Sequence, residues 1–176
     1  MTRRDPNSLY FDFDTYRNGH DDWLDYDRIT APAMKALLEC FAGRLLGRGV
    51  SRTVFECKFN PEYVVKVSKP YDTQNATEAR TWERFSDVPH VAKWLAPIAQ
   101  QSACGRVIVQ RRTRPLLKPP AKIPHYLGDL KVQNFGMLEG RCVAHDYGLG
   151  IFLDSDAPVQ MVKPDWWDGQ SGDHYV

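Results

Sequence analysis

No apolar stretch in the sequence approaches the about 18 residues that a membrane helix needs, so the expectation is a chain outside the bilayer, with the cytoplasm as its place. The opening MTRRDPNSLYFDFD is broken by charge before an apolar run of about seven residues can form, which is not a signal-peptide pattern. Cysteine is sparse. Cys40, Cys57, Cys104 and Cys142 are separated by 17, 47 and 38 residues, without the paired spacing of a zinc site or a redox dithiol. An excess of one charge is missing as well: 23 Lys and Arg stand against 22 Asp and Glu, and so small a surplus argues against a dedicated nucleic-acid binder. No internal repeat is visible.

What is present is the composition of a packed domain, with 43% hydrophobic and 26% charged residues in 176, enough for one compact unit or two small lobes sharing a cleft. Charge is unevenly placed. Residues 1–30 carry seven acids and four bases, residues 154–176 five acids and one base, and residues 106–131 seven bases with Asp129 as the one acid. That basic middle is suited to phosphate or to an acidic partner, and equally to a solvated face answered by the acidic ends.

Hydrophobic spacing predicts the elements. Thr30 is placed to cap a helix over 31–42 in which Met34, Leu37, Leu38 and Phe41 share a face and Gly43 is the stop. RLLGRG, TVFECKF and YVVKVS read as an antiparallel meander. Residues 73–86, free of Gly and Pro, predict a second helix with Ala79, Trp82 and Phe85 on one face. WLAPIA and RVIVQR predict a further hairpin across Ser-Ala-Cys-Gly. RPLLKPPAKIP, with four prolines in eleven residues, excludes regular helix and reads as a linker or lobe boundary. NFGML and CVAHDYG then flank a tight turn at Glu139-Gly140-Arg141.

Several residues carry chemistry. GRGVSRTV, residues 47–54, lies between two expected strands, where glycines let backbone amides approach phosphate oxygens. Lys66 interrupts the apolar strand YVVKVS, and a half-buried lysine needs an anionic partner, which Glu78 in the next helix can supply. Asp129-Leu-Lys-Val-Gln-Asn134 and Asp146-Tyr147-Gly148 bring two carboxylates and an amide, the groups that hold magnesium on a nucleotide and orient a phosphate acceptor.

Taken in order, these motifs resemble those of the protein-kinase superfamily: a Gly-rich loop, a strand lysine, a helix glutamate, DxKxxN and a DFG-like triplet, over roughly residues 44–150. The resemblance implies an α+β, reduced kinase-like fold, with an antiparallel N-lobe sheet, one main helix and a much shortened C-lobe. Its divisions are an extension at 1–29, an N-lobe with a five-stranded sheet at 30–110, the Pro-rich basic linker at 111–122 and a minimal C-lobe at 123–176. It also implies ATP and Mg2+ as cofactors. Gly47 and Gly49 would cover the phosphates, Lys66 would reach the α and β phosphates, and Glu78 would position Lys66. Ser51, Arg52, Val54 and Gln110 complete the implied nucleotide set. Asp129 is the implied acceptor base, Lys131 lies near the transferred phosphate, and Asn134 and Asp146 are the implied magnesium ligands.

The departures matter. Arg52 stands at the third glycine of the loop, either near the phosphates or stiffening the turn. Leu127 and Gly128 replace the histidine and arginine before the catalytic aspartate, and no Ala-Pro-Glu anchor follows Gly148, so control through a phosphorylated activation loop has lost its receptor. About twenty residues separate the expected hinge at Gln110–Arg112 from Asp129, too few for the two helices that normally floor the cleft. The helix at 31–42, the segment YFDFDTY or a second copy of the chain are the expected replacements. NATEARTWERF and VAKWLAPIAQ resemble small kinase-like proteins of bacteriophages and bacteria, which implies action in a bacterial host cytoplasm.

Two functions are then open. One is an ATP- and magnesium-dependent phosphotransferase acting on a protein or on itself. The other is a pseudokinase-like binding module that modulates a host protein without catalysis. Trp166 and Trp167 read as a core plug, His125 and His145 as loop and strand residues without a metal role, and Arg111, Arg112 and Arg114 as either cleft-lining or a solvent-facing hinge.

Overall fold

A computed structural model of the chain describes residues 36, 38–69, 72–148, 151 and 159–166. Contacts divide the chain into Met1–Cys40 and Phe41–Val176. In the first unit the described residues, 36 and 38–40, are helical. Met34 and Leu37 of the expected apolar stripe, the segment YFDFDTY and the whole 1–29 extension lie outside the described residues.

The main sheet of the second unit joins β1 (Ala42–Arg48), β2 (Arg52–Cys57), β3 (Tyr63–Ser68), β4 (Ile98–Gln101) and β5 (Val107–Arg111) in the order β1-β2-β3-β5-β4, every neighbour antiparallel. The expected meander and hairpin are both present. Between them run α1 (Gln74–Phe85) and the short α2 (Pro89–Ala92). β3 is the central strand, and its register places Lys66 between Val54 of β2 and Ile108 of β5. Val64, Val65 and Lys66 are all buried, because a strand with neighbours on both edges and cover on both faces loses the in-out alternation of a surface strand. β1, at the edge, carries two bulges, one on either side of Leu45.

In α1, Asp72 does the capping that the helix's own N-cap, Thr73, does not: its Oδ1 accepts the Gln74 N–H at 2.9 Å. Ala79 and Phe85 are buried and Trp82 packs on the core, as the spacing predicts. Asn75 and Glu78 are buried too, three apart on a face turned toward β3.

Beyond β5, residues 112–128 contain only two short strands, β6 (Arg114–Pro115) and β7 (Ile123–Pro124). The Pro-rich stretch is non-helical as expected, yet it is tied down: β6 pairs with β8 (Phe135–Leu138), which pairs with β9 (Arg141–Ala144), and β7 pairs with β10 (Met161–Val162). The β8–β9 turn is tighter than expected, because Glu139 (φ 50) and Gly140 (φ 77) make a two-residue left-handed turn and Arg141 already belongs to β9.

The core gathers Phe85, Val91, Leu95, Ile123, Tyr126, Leu127, Phe135, Ala144 and Tyr147. The segment leading into β4 and the β6-β8-β9 sheet are joined through it. Ala96 N–H donates to the Ala144 carbonyl and Ala144 N–H to that of Trp94, both at 2.8 Å, and Tyr147 Oη donates to the Ala96 carbonyl at 2.8 Å. Trp166 closes one end, edge-on to Phe135 with ring centroids 5.0 Å apart and its Nε1 donating to the Pro120 carbonyl, which fits the plug reading; Trp167 lies outside the described residues. Among the described residues no helix is long and apolar enough to cross a membrane.

Candidate functional site

A cavity of about 930 Å³ opens between the face of β2, β3 and β5 on one side and residues 112–116, 132–133, the β8–β9 hairpin and 145–146 on the other. That volume suits a nucleotide-sized ligand. Its wall is mixed: Leu46, Val54, Val64 and Leu138 are apolar, whereas Arg52, Lys66, Arg111, Arg112 and Arg114 outnumber Glu62, Glu139 and Asp146. Arg111, which ends β5, and Arg112 and Arg114 beyond it line this cavity, and two of them are paired, Arg111 with Glu62 at 2.8 Å and Arg112 with Glu56 at 3.1 Å.

A buried charge network sits at the back. Lys66 Nζ donates to Glu78 Oε1 at 2.8 Å and to the His145 carbonyl. The same Glu78 oxygen accepts Gln110 Nε2 at 2.8 Å, and Glu78 Oε2 accepts Arg52 Nη1 at 2.6 Å. Arg52 Nη1 also meets Asn75 Oδ1 at 3.0 Å, and Nη2 pairs with Asp146 Oδ1. Asn75 turns its amide the other way, to the carbonyls of Lys66 at 3.0 Å and Arg106 at 2.9 Å, which fixes its orientation. Two cations and two carboxylates therefore neutralise one another, Lys66, Arg52 and Glu78 out of water and Asp146 at the cavity side with 26% of its side chain exposed, the pairing under which buried charges are tolerated. Burial draws the Lys66 ammonium below its ordinary value although Glu78 resists the fall. Burial pushes the Asp146 carboxyl up, but Arg52 and Lys66 outweigh it and hold the group below its ordinary value.

His145 is a structural part of this wall. Its Nε2 lies 2.8 Å from the Gln133 carbonyl, which can only accept, so Nε2 carries the proton and Nδ1 accepts the Thr113 hydroxyl at 2.7 Å. Burial, with Lys66 beside it, lowers the imidazole to about 4, so the ring is neutral at physiological pH.

Asp129 and Asn134 form a second pair. Asp129 has a left-handed backbone (φ 45), which aspartate tolerates better than most residues, and Asn134 Nδ2 bonds both its Oδ2 at 2.7 Å and its carbonyl at 3.2 Å. The Asn134 carbonyl in turn accepts the N–H groups of His145 at 2.8 Å and Asp146 at 3.2 Å, so the 129–134 loop and the 145–148 segment are stitched together.

The expected residues thus fall into three places. Lys66, Glu78, Arg52, Gln110 and Asp146 meet in the network, with Val54 beside them on the cavity wall. Asp129, Lys131 and Asn134 stand in the adjoining loop, away from the cavity lining. Gly47, Gly49 and Ser51 also lie off the lining: Gly47 is inside β1 opposite Val54, the Gly49 N–H closes the turn on the Arg52 carbonyl at 2.8 Å, and Ser51 Oγ donates to Gln74 Oε1 at 2.8 Å. Arg52 opens β2 and turns its guanidinium inward to Glu78 and Asp146, on the wall of the same cavity as Lys66. Asn75, Thr113, Gln133 and the buried role of His145 are additions that the sequence reading lacks. Asn75 had a signal, its position three residues before Glu78 on the same helix face.

Magnesium does not fit at Asp146 as it stands. Asp146 is already engaged by the Arg52 guanidinium and by the Gly148 backbone N–H, while Asn134 donates its Nδ2 to Asp129 and keeps its Oδ1 as the atom that could face a cation. Among the described residues no three His, Cys, Asp or Glu side chains group as metal ligands. No family model matches the chain, and neither a curated protein nor a solved structure matches it.

Proposed function

We propose that the chain is a nucleotide-binding protein of reduced protein-kinase-like fold, which takes ATP in the cavity with its phosphates toward Lys66 and, in the arrangement described, serves as a binding module for a protein partner in a bacterial cytoplasm. The observation that carries this reading is the Lys66–Glu78 pair at 2.8 Å on the wall of a nucleotide-sized cavity. An ammonium buried on a central strand is costly, and pairing it to a helix glutamate beside an open cleft is the arrangement that kinase-like sites use for α and β phosphates. The sheet order β1-β2-β3-β5-β4, with α1 between β3 and β4, supports the same reading. Apolar Val54, Val64 and Leu138 offer a surface for the base.

Phosphoryl transfer is the second reading, favoured by Asp129, a carboxylate held in a left-handed backbone by Asn134. There Asp129 would orient an acceptor hydroxyl of a protein or of the chain itself, with Lys131 beside it.

Calorimetric titration of ATP into the full chain and into Lys66→Met tests the proposal. One-to-one binding that Lys66→Met abolishes is expected. Wild-type protein that binds no ATP at millimolar concentration overturns it. Label transfer from γ-labelled ATP that Asp129→Asn removes would select the second reading.

A further inference from the structure

Arg52 follows the exposed tip of the β1–β2 turn, where Val50 is 92% exposed, yet its own exposure is 2%. A long cation one step from solvent has turned inward and is held by three separated residues: Asn75 and Glu78 from α1, and Asp146 from the segment after β9. Around it Lys66 and Arg52 face Glu78 and Asp146, two charges of each sign, so the cluster is neutral without any added ion. A divalent ion on Asp146 would share that carboxylate with a guanidinium and leave the cluster strongly positive.

We infer that Arg52 is a resident cation that takes the place of a divalent metal at Asp146: the site binds neither Mg2+ nor Mn2+, and the phosphates of a bound nucleotide are held by protein cations alone. The first half stands on the cluster itself; the second rests on the nucleotide reading above. Arg52 acts here as a positioning residue that sets the charge of Asp146.

The test uses the full chain and Mn2+ alone, followed by electron paramagnetic resonance, in wild type, Asp146→Asn, Arg52→Ala and Arg52→Ala with Asp146→Asn. Wild type is expected to hold no Mn2+ through Asp146 at millimolar concentration, and Arg52→Ala to gain a site that the double variant lacks. A wild-type site weakened about tenfold or more by Asp146→Asn overturns the inference. So does a folded Arg52→Ala that gains nothing. If Arg52→Ala loses its circular dichroism spectrum, Arg52→Gln, which keeps a hydrogen-bond donor without the charge, replaces it. A second titration, of a fluorescent ATP analogue in EDTA and in Mg2+, is expected to give wild-type affinities within about twofold, and an affinity about tenfold or more higher in Mg2+ counts against the inference. Absence of analogue binding under both conditions removes the nucleotide reading and leaves the Mn2+ result to decide the inference.

Discussion

Glu78 faces Lys66 at 2.8 Å through one carboxylate oxygen and Arg52 at 2.6 Å through the other, so one buried acid on α1 is counter-ion to two cations from neighbouring strands. The three side chains are at most 4% exposed. This sharing makes the two ends of the Lys66–Glu78 pair unequal.

Removing Glu78 leaves Lys66 without its carboxylate hydrogen-bond partner and Arg52 with Asp146 alone, whereas removing Lys66 leaves Glu78 still bonded to Arg52 and Gln110. Glu78→Ala is therefore expected to lower unfolding free energy by about 3–5 kcal/mol. Lys66→Met is expected to cost at most about 2 kcal/mol, because an apolar stem of similar length replaces a charge that was itself expensive to bury. Urea unfolding of both variants measures the difference. Equal losses would show that Glu78 is not the shared counter-ion.

His145 sets a pH window. Its folded-state value near 4 lies below the ordinary 6.5, so between those values the unfolded chain binds a proton that the native protein refuses. Stability should be full above about pH 6.5, fall as pH drops toward 4, and level off below, by a total on the order of 3 kcal/mol. Asp146 does not confuse the window, since its value lies below the ordinary 3.8 and its contribution is lost only at still lower pH. Urea midpoints from pH 7.5 to 4.5 in wild type and His145→Gln read this directly, and a slope that survives His145→Gln would assign the effect to other groups.

The contrast between Lys66 and Arg52 shows how far the sequence reaches. Lys66 was legible because a charge inside YVVKVS breaks an apolar strand, and the partner it needs lies in the next helix. Arg52 was not, because a charged residue just after a glycine turn has the local pattern of a solvated one. Its burial depends on Asp146, 94 residues away, which no local period encodes. His145 was hidden for the same reason: Thr113 and Gln133, which hold its two nitrogens, come from segments that only the β6-β8-β9 sheet brings together. The strands and α1 were readable from spacing within each segment, whereas the tying of Arg114–Pro115 to β8 was hidden behind prolines that argue against strand.

Cysteine reactivity should divide by burial. Cys142 packs against the core, and burial pushes its thiol up to about 11, while Cys104 is exposed in the β4–β5 turn. Iodoacetamide at pH 8, followed by mass spectrometry, is expected to modify Cys104 in the native protein and Cys142 only when urea is added. Rapid native labelling of Cys142 would mean that the β8–β9 hairpin opens far more readily than its packing implies.

Two glycines near the loop of Asp129 should respond in opposite ways to alanine. At Gly136, in β8, a Cβ would lie 2.4 Å from Thr113 Oγ1 and 2.7 Å from the Arg114 carbonyl, closer than atoms can approach. The second of these is backbone, so the β6–β8 pairing must move, and the first is the hydroxyl that His145 Nδ1 accepts. Gly136→Ala is therefore expected to cost about 1–3 kcal/mol and to disturb the imidazole as well. At Gly128 a Cβ would meet nothing within 4 Å and φ is not left-handed, so Gly128→Ala should stay within about 0.5 kcal/mol of wild type or stabilise slightly by restricting the unfolded chain. Thermal melts of the two variants, with the His145 ring followed by NMR, separate the effects. A Gly136→Ala protein that melts like wild type with an unshifted His145 resonance would mean that β6 and β8 are not held as closely as the Thr113 contact requires.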